Sequence, residues 1–350
     1  MPLPIYRGDH PASRHKDANR GLWYTRFYKA FNADWETDVN SKRSWITENA
    51  GACGNDRELK AHVERMKRLN DALGGHCGDF DTVWHFATGL GISHPVENGF
   101  AWHHTLGVPF LAASGVKGLL RGWTECWRDF DNEEARQATI TRCFGASAGD
   151  AYSSAGNLIF FDALPIEQVH LAADVMTPHM GKWYEQGHDI HGPQDYATKI
   201  PADWYSPVPV SFLVVKKAAF RFMIAPRLIG DEAADTQARV DALDAIQQLE
   251  QALEWLGAGA KTAAGYGRMA RRKTLEETAV AWFGARIKFN RSTGVLSVEK
   301  GGNSATASAP KGKELLDTLP PELRKKVEGN QFVKVTAYVA KYVLVRIEAG

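Results

Sequence analysis

The strongest constraint on the fold of this chain is a glycine-rich segment that directly follows a long amphipathic stretch. It reads Gly257-Ala-Gly-Ala-Lys-Thr-Ala-Ala-Gly-Tyr-Gly-Arg268 and holds four glycines, a lysine, a threonine and an arginine. Glycine reaches backbone conformations closed to other residues, so the chain must turn sharply here or admit another backbone. Free N–H groups in such a loop, with Lys261 and Arg268, would form a phosphate site. A tight structural turn with a solvent-facing lysine is the alternative.

This loop does not match the known nucleotide-binding motifs. A P-loop needs a glycine immediately before Lys-Thr and another glycine five positions earlier, and Ala260 and Trp255 stand there. A dinucleotide fingerprint fails as well, because Thr262 takes the place of its third glycine. The order of elements is also reversed, since a helix precedes the loop and a strand follows it. The sequence therefore argues against nucleotide hydrolysis.

A second segment, residues 107–121, predicts a helix N-terminus with basic residues close to it. Ser114 is a suitable N-cap for a helix over residues 114–129. The apolar stripe of this helix is Val116, Leu119, Leu120, Trp123 and Trp127. Lys117 and Arg121 share another face, near the partial positive charge that favours an anion at a helix N-terminus. An ordinary capped helix with a solvated basic face is the alternative.

Together the two segments predict a surface for a polyphosphate backbone, with RNA as the leading candidate. The predicted RNA-binding residues are Ser114, Lys117, Arg121, Gly257, Gly259, Lys261, Thr262, Gly265, Gly267 and Arg268.

No metal, cofactor or redox site is expected. The four cysteines contain no C-x-x-C pair. The clustered histidines lack the i, i+4 helical spacing or the Cys/His spacing of a metal site; they are His103, His104, His179, His188 and His191. Asp162, Asp174 and Asp203 have no supporting spacing either, and we interpret them as structural.

The hydrophobic pattern predicts an α+β core in the order β-α-β-β-α-β, which is typical of ferredoxin-like and RRM-like folds. The predicted elements are a strand over 82–90, the helix over 114–129, a strand over 156–165, a long strand or hairpin over 208–226, a helix over 235–256 and a strand beginning within 266–270. The core face of the second helix is predicted to be Val240, Leu243, Ile246, Leu249, Leu253 and Leu256.

Two further regions surround this core. Residues 1–80 form a helical and loop-rich N-terminal part, with a helix over residues 56–73. Residues 174–203 are dense in His, Gly, Pro and Trp, and we interpret them as a long irregular insertion.

The charge balance and the predicted elements change after Thr274, so we expect domains at residues 1–274 and 275–350. From Arg271 to Gly350 there are 15 Lys+Arg and 8 Asp+Glu, a balance of +7, while the first 270 residues carry −6. Predicted strands over 286–290, 295–298, 331–340 and 342–348 indicate a small β-barrel-like, OB-like module. Such charge asymmetry is typical of a nucleic-acid-facing module or of a solvated lysine-rich surface.

Nothing in the sequence points to a membrane or to export. No apolar run approaches the roughly 20 residues of a membrane helix, and the first residues lack the apolar core of a signal peptide. We expect a cytoplasmic protein.

The motifs occur together, in this order, in a known family. Over residues 18–270 the chain resembles the RAMP superfamily of CRISPR proteins, and within it the Cas7-like subunits of type III-B (Cmr) RNA-targeting effector complexes. The matching blocks are Asn19–Leu22, His104 with Gly107–Arg121, Gly156–Pro165, Asp174–His179, Pro207–Leu213 and Leu256–Arg268. Two departures are Ala112-Ala113, where the family has Pro-Gly, and Gly115, where it has a second serine.

The resemblance implies an RRM-like (RAMP) body that binds guide RNA near its 3′ end. Its partners would be the guide RNA, target RNA and other RAMP subunits, above all the Cas7-like backbone subunit. Family target cleavage belongs to an Asp of that neighbouring subunit, so the resemblance implies no catalytic residue, cofactor or small-molecule substrate here. The alternative is a metal-independent RAMP endoribonuclease acting on repeat RNA, with His104 or His179 as general base. Residues 275–350 lie outside the resemblance, and we hypothesise that they contact RNA.

Overall fold

The computed structural model describes residues 11, 13–146, 154–202, 204–273 and 275–349. Asp203 and Thr274, which end the predicted insertion and the predicted first domain, lie outside the described residues. The chain divides into an N-terminal unit that ends at Arg272 and a C-terminal unit that begins at Lys273.

The N-terminal unit mixes helices and strands. Its helices are α1 (Arg20–Arg26), α2 (Val39–Glu48), α3 (Asp56–Ala72), α4 (Ala113–Cys126), α5 (Glu133–Phe144), α6 (Gly181–Gln186), α7 (Tyr196–Lys199) and α8 (Glu232–Trp255), with 3₁₀ turns at Gly187–Asp189, Pro193–Asp195 and Thr262–Ala264. Its strands are β1 (Gly51–Cys53), β2 (His76–Thr82), β3 (Ser93–His94), β4 (Glu97–Asn98), β5 (Leu158–Phe160), β6 (Leu164–Pro165), β7 (Val169–Met176), β8 (Val210–Lys217), β9 (Ala219–Pro226) and β10 (Met269–Arg271).

Two antiparallel sheets form the body of this unit. The larger has the order β10-β2-β9-β5, and β6 also pairs with β9. The smaller has the order β1-β7-β8. Ala218 alone separates β8 from β9. The long extended segment predicted over 208–226 is therefore present, but it is divided between the two sheets.

Helices α4 and α8 pack against the larger sheet and against each other. The main core joins Phe220 and Phe222 of β9 to Leu120 of α4 and Leu253 of α8, all nearly fully buried. Burial of such aromatic and aliphatic side chains, at about 25 cal/mol per Å² of apolar surface, is the main force holding these layers together.

Helix α8 confirms the predicted helix but corrects its core face. Val240 and Leu243 are exposed, whereas the buried face is made largely of alanines; these are Ala238, Ala242, Ala245 and Ala252. Small side chains let the helix axis approach the sheet closely, and that approach decides which face is covered. Trp127 is likewise exposed beyond the end of α4, against the prediction that it belongs to the buried stripe.

An ion pair ties α8 to α5. Asp241 of α8 is buried and accepts hydrogen bonds from Arg142 Nε at 2.7 Å, Asn157 Nδ2 at 2.6 Å and Gln237 Nε2 at 3.0 Å. Burial opposes the charged form of Asp241, but these donors outweigh it and lower the pKa of the carboxyl.

Several predicted elements of this unit were wrong or were missed. The strand expected over 82–90 is displaced, because β2 ends at Thr82 and the following residues are irregular apart from one bridge between Phe86 and Val215. The insertion predicted to begin at residue 174 begins later, because β7 continues to Met176, and it contains short helices. Helix α5 was not predicted. The helix expected over 56–73 is confirmed as α3, capped by Asn55.

The C-terminal unit is a closed five-stranded barrel with the order β11-β12-β13-β15-β14, as the sequence predicted a barrel-like module. Its strands are β11 (Val280–Asn290), β12 (Val295–Lys300), β13 (Asn303–Ala307), β14 (Val333–Ala340) and β15 (Val343–Ala349). Helices α9 (Lys311–Asp317) and α10 (Pro321–Glu328) separate β13 from β14. Inward side chains such as Ile287, Val298 and Val335 fill the interior. β13, in the Ser- and Gly-rich segment, was not predicted.

Across the described ranges, no helix combines the length and apolarity needed to cross a bilayer.

Candidate nucleic-acid interface

The two segments singled out by the sequence meet at a groove between α4 and the loop after α8. The volume of this groove is about 530 Å³. Its lining residues are Leu111, Gly115, Gly118, Leu119 and Gly122 on one side and Trp255, Leu256, Gly257, Ala258, Gly259, Thr262, Ala263 and Arg268 on the other. At Gly118 and Gly122, apart from the backbone of α4 itself and the adjacent residues, no heavy atom lies within 4 Å of the position a Cβ would take. At these two positions the α4 wall exposes its backbone, which leaves room for close approach by another chain.

The glycines of the loop are required by its own fold. Gly257, Gly259 and Gly267 have positive φ angles of 75°, 87° and 75°, a region that side-chain-bearing residues rarely adopt. A Cβ on Gly267 would lie 1.8 Å from the Ala258 carbonyl oxygen, and one on Gly259 would lie 2.2 Å from that of Ala87. The loop thus folds back on itself and against the segment after β2. For these glycines a structural role is sufficient.

Most of the glycine N–H groups are consequently not available to a phosphate. Gly257, Gly265 and Gly267 donate to the carbonyl oxygens of Ala252, Thr262 and His85, respectively. Within the described ranges, the N–H groups of Gly259 and Thr262 have no acceptor, and both residues line the groove. Of the predicted glycine amides, that of Gly259 is therefore the one left for a phosphate, together with the neighbouring Thr262 N–H.

The start of α4 also differs from the expectation. Ser114 does not cap the helix, because the N-cap position falls on Ala112, which forms no capping side-chain bond. Instead, Asp162 Oδ1 accepts a hydrogen bond of 2.7 Å from the Ala113 N–H. This carboxylate takes the place that an anion would otherwise occupy at the helix N-terminus.

The predicted cations lie on more than one surface. Arg268 is exposed in the groove, and the described part of the chain offers it no carboxylate partner. Lys117 lies at least about 100° around the α4 axis from each groove glycine. Arg121 Nε forms an ion pair of 2.7 Å with Glu125. Lys261, at a left-handed φ of 60°, places its Nζ 3.7 Å from the sulfur of Met176, towards the smaller sheet.

Beside Lys261 lies a polar cluster that could not be predicted from the sequence. Asp174 Oδ2 accepts a 2.7 Å hydrogen bond from the Tyr266 hydroxyl and lies 3.0 Å from His85 Nδ1. Burial opposes the charge of Asp174, but these contacts outweigh it and lower its pKa. Burial, aided by Asp174, raises the pKa of Tyr266 to about 12. Trp84 stacks on His85 at 4.9 Å and is 56% exposed, which suits base stacking.

The histidines proposed as general bases form no catalytic arrangement. His104 and His179 are both exposed, and no side chain among the described residues hydrogen-bonds to either ring. Over the same ranges, no group of three or more His, Cys, Asp or Glu side chains is positioned to hold a metal ion.

Residues 79–270 match the family model described as the RAMP superfamily. The CRISPR system Cmr subunit Cmr6 of Pyrococcus furiosus is 35% identical over 265 residues, covering 60% of this chain and 72% of that protein. A chain in the cryo-EM structure of the type III-B Cmr-beta complex bound to cognate target RNA has a TM-score of 0.45 and 20% identity, covering 72% of this chain and 80% of that chain. The crystal structure of Cmr6 from Pyrococcus furiosus gives a TM-score of 0.31 and 22% identity, covering 57% and 98%.

Proposed function

This chain belongs to the RAMP superfamily, and from that premise we propose that it is a structural, non-catalytic subunit of a type III-B CRISPR effector complex that binds the guide RNA near its 3′ end. It packs against Cas7-like backbone subunits and supports target RNA recognition in antiviral defence. The 35% identity to a protein named as a Cmr subunit supports the assignment to such a complex.

The finer description of the fold belongs to the same proposal. The succession β2-α4-β5-β9-α8-β10, with four strands in one antiparallel sheet, supports a ferredoxin-like, RRM-like core. The five-stranded closed barrel with helices between its third and fourth strands supports an OB-like C-terminal module. In this reading residues 1–274 are the guide-binding domain and residues 275–350 are a separate module.

The observation that carries the RNA assignment is the groove between α4 and the loop after α8. Its glycine wall admits a backbone at close range, and Arg268, which has no ion-pair partner in the described ranges, supplies the charge. Lys117, Arg121 and Lys261 are the further proposed phosphate contacts. Ser114 and the N–H groups of Gly259 and Thr262 assist as hydrogen-bond donors.

Salt dependence of guide-RNA binding tests this assignment. In single-stranded RNA each lost phosphate contact flattens the slope of log affinity against log salt by about 0.7. The variant Lys117→Ala/Lys261→Ala should therefore lower guide affinity and flatten the slope by about 1.4, and adding Arg268→Ala should flatten it further. The matched control removes two exposed cations of α3, Lys60→Ala/Arg68→Ala. An unchanged slope in the first variant, or an equal change in the control, contradicts the proposed contacts.

Two more experiments address partners and catalysis. Affinity purification of the tagged chain should bring down a short RNA together with other RAMP subunits. The endoribonuclease alternative is not favoured, because His104 and His179 have no positioning partner among the described side chains. Specific cleavage of repeat RNA in EDTA that disappears in His104→Ala or His179→Ala would contradict the proposed non-catalytic role.

A further inference from the structure

We infer that the outer surface of the C-terminal barrel across β11, β14 and β15 is a separate binding site for single-stranded RNA. We name it the basic-aromatic face; its residues are Arg286, Lys288, Phe332, Lys334, Tyr338 and Arg346. The RAMP match ends at residue 270, so this site goes beyond the function proposed above.

Strand alternation places these side chains on one surface. Ile287, Val333 and Val335 point into the barrel and are buried, so their neighbours along each strand point outward. Across the β11–β14 ladder Arg286 stands directly opposite Lys334. Across the β14–β15 ladder Tyr338 stands opposite Arg346. The face is therefore continuous over three neighbouring strands.

The aromatic rings of the face already bear cations; Phe332 is exposed, whereas Tyr338 is half-buried. Phe332 is 61% exposed, with the Arg286 guanidinium carbon 5.1 Å and the Lys334 Nζ 6.0 Å from its ring centroid. The Arg346 guanidinium carbon lies 4.0 Å from the Tyr338 ring centroid. Such stacking holds long, flexible side chains in place beside the rings. Less side-chain entropy is then lost when a ligand binds.

The charge of the face is complementary to a polyanion. Arg286, Lys288 and Lys334 form no ion pair with any residue that the structure describes. The acidic residues nearby are Glu348, which lies 3.2 Å from Arg346 and accepts a hydrogen bond from the Tyr338 hydroxyl, and Glu299, opposite Arg286 on β12. Cations therefore outnumber carboxylates on these strands.

Rings combined with unpaired cations favour single-stranded RNA over an acidic protein as the occupant. Every base offers a π-face for an exposed ring to stack on, while the phosphates meet the cations. A paired duplex hides its base faces, so the rings would be of no use to it.

The test measures anisotropy of a fluorescent oligouridine of about 15 nucleotides, a length that one such barrel can cover, with the full chain. Phe332→Ala/Tyr338→Ala should weaken binding about tenfold or more through lost stacking, with little change in salt slope. Arg286→Ala/Lys334→Ala should flatten the slope by about 1.4. The control Lys311→Ala/Lys313→Ala removes the same number of positive charges from exposed positions of α9, a helix that supplies no residue of the face. Thermal melting should be unchanged in Arg286→Ala/Lys334→Ala and in the α9 control, because all four substituted side chains are exposed, and Phe332→Ala alone tests stacking without altering the half-buried Tyr338.

The outcomes separate this inference from the guide-binding proposal, because Lys117 and Lys261 lie in the other unit and are varied independently. Loss of affinity in the face variants but not in the α9 control supports the inference, even if the Lys117→Ala/Lys261→Ala variant binds normally. Equal loss in the α9 control shows a general charge effect and overturns it. Unchanged RNA binding in both face variants also overturns it. If those variants then fail to co-purify another subunit, the face is a protein-docking surface instead.

Discussion

Side chains that fill the groove from the α4 side should raise the free energy of unfolding and, at the same time, weaken the binding of guide RNA. Gly118 and Gly122 lie inside α4, neither has a positive φ, and an added Cβ at either would meet no heavy atom within 4 Å beyond the backbone of α4 and the adjacent residues. Glycine at these two positions therefore does not stabilise the fold. What the absence of side chains at Gly118 and Gly122 does provide is the open space of the groove.

The magnitude follows from helix propensity. Glycine in a helix interior costs about 0.5–1 kcal/mol relative to alanine. Gly118→Ala/Gly122→Ala should therefore raise the free energy of unfolding by about 1–2 kcal/mol, since no contact is strained. In a unit of this size each kcal/mol raises Tm by about 2–4 °C. Gly122→Leu should keep its share of this gain, because leucine is also a strong helix former, while its side chain projects into the groove.

Urea unfolding and guide-RNA binding, measured on the same preparations, check both halves of this prediction. The control Gln137→Leu places the same side chain on the exposed surface of α5, outside the groove. We expect Gly122→Leu to unfold at higher urea and to bind guide RNA or neighbouring subunits more weakly than the control. A Gly122→Leu protein that is more stable and binds normally would show that the groove is not used. A destabilised Gly118→Ala/Gly122→Ala protein would refute the claim of open space.

Three other predictions concern stability and reactivity. Asp241 has a lowered pKa in the folded protein. Its contribution to the free energy of unfolding is therefore fully present above the pKa of about 3.9 that it has in the unfolded chain, and it is lost as pH falls through the lower pKa of the folded state. Asp241→Asn should cost about 1.5–3 kcal/mol near neutral pH, towards the lower end because Arg142 is 39% exposed, and should remove part of the acid sensitivity of the urea midpoint. Gly267→Ala should cost at least about 1–3 kcal/mol by chemical denaturation, because its φ is 75° and its Cβ would overlap a carbonyl oxygen. Iodoacetamide at pH 8 should modify exposed Cys126 in the native protein, while Cys143, whose pKa burial raises to about 12, should react only after unfolding; mass spectrometry reads both.

The elements that could be predicted from the sequence were those with a strong local pattern. Helices α3 and α8 have long apolar periods, and the barrel strands alternate. β2 was misplaced because it is largely polar, whereas the apolar Val83 and Trp84 just after it are exposed. The core face of α8 was misjudged because close packing on the sheet selects alanine, a choice that a hydrophobicity pattern does not reveal.

The candidate site was only partly predictable, because its decisive contacts join distant segments. The glycine loop and α4 were identified separately, and the fold brings them to one groove. Asp162 reaches the start of α4 from 49 residues away, and His85 meets Asp174 from 89 residues away. Neither contact can be predicted from the residues that flank its two partners in the sequence. Lys117 and Lys261 could be recognised as cations, but not as lying on separate surfaces.

The junction between the two sheets has a mechanical consequence. Because Ala218 is the whole connection between β8 and β9, no slack loop exists to absorb a displacement. β9 is an interior strand of the larger sheet, and β8 is an edge strand of the smaller one. A ligand or neighbouring subunit that shifts β8 therefore pulls directly on the middle of the main sheet. We therefore expect the two sheets to deform together, so that a displacement of β8 reaches the core of this unit through β9.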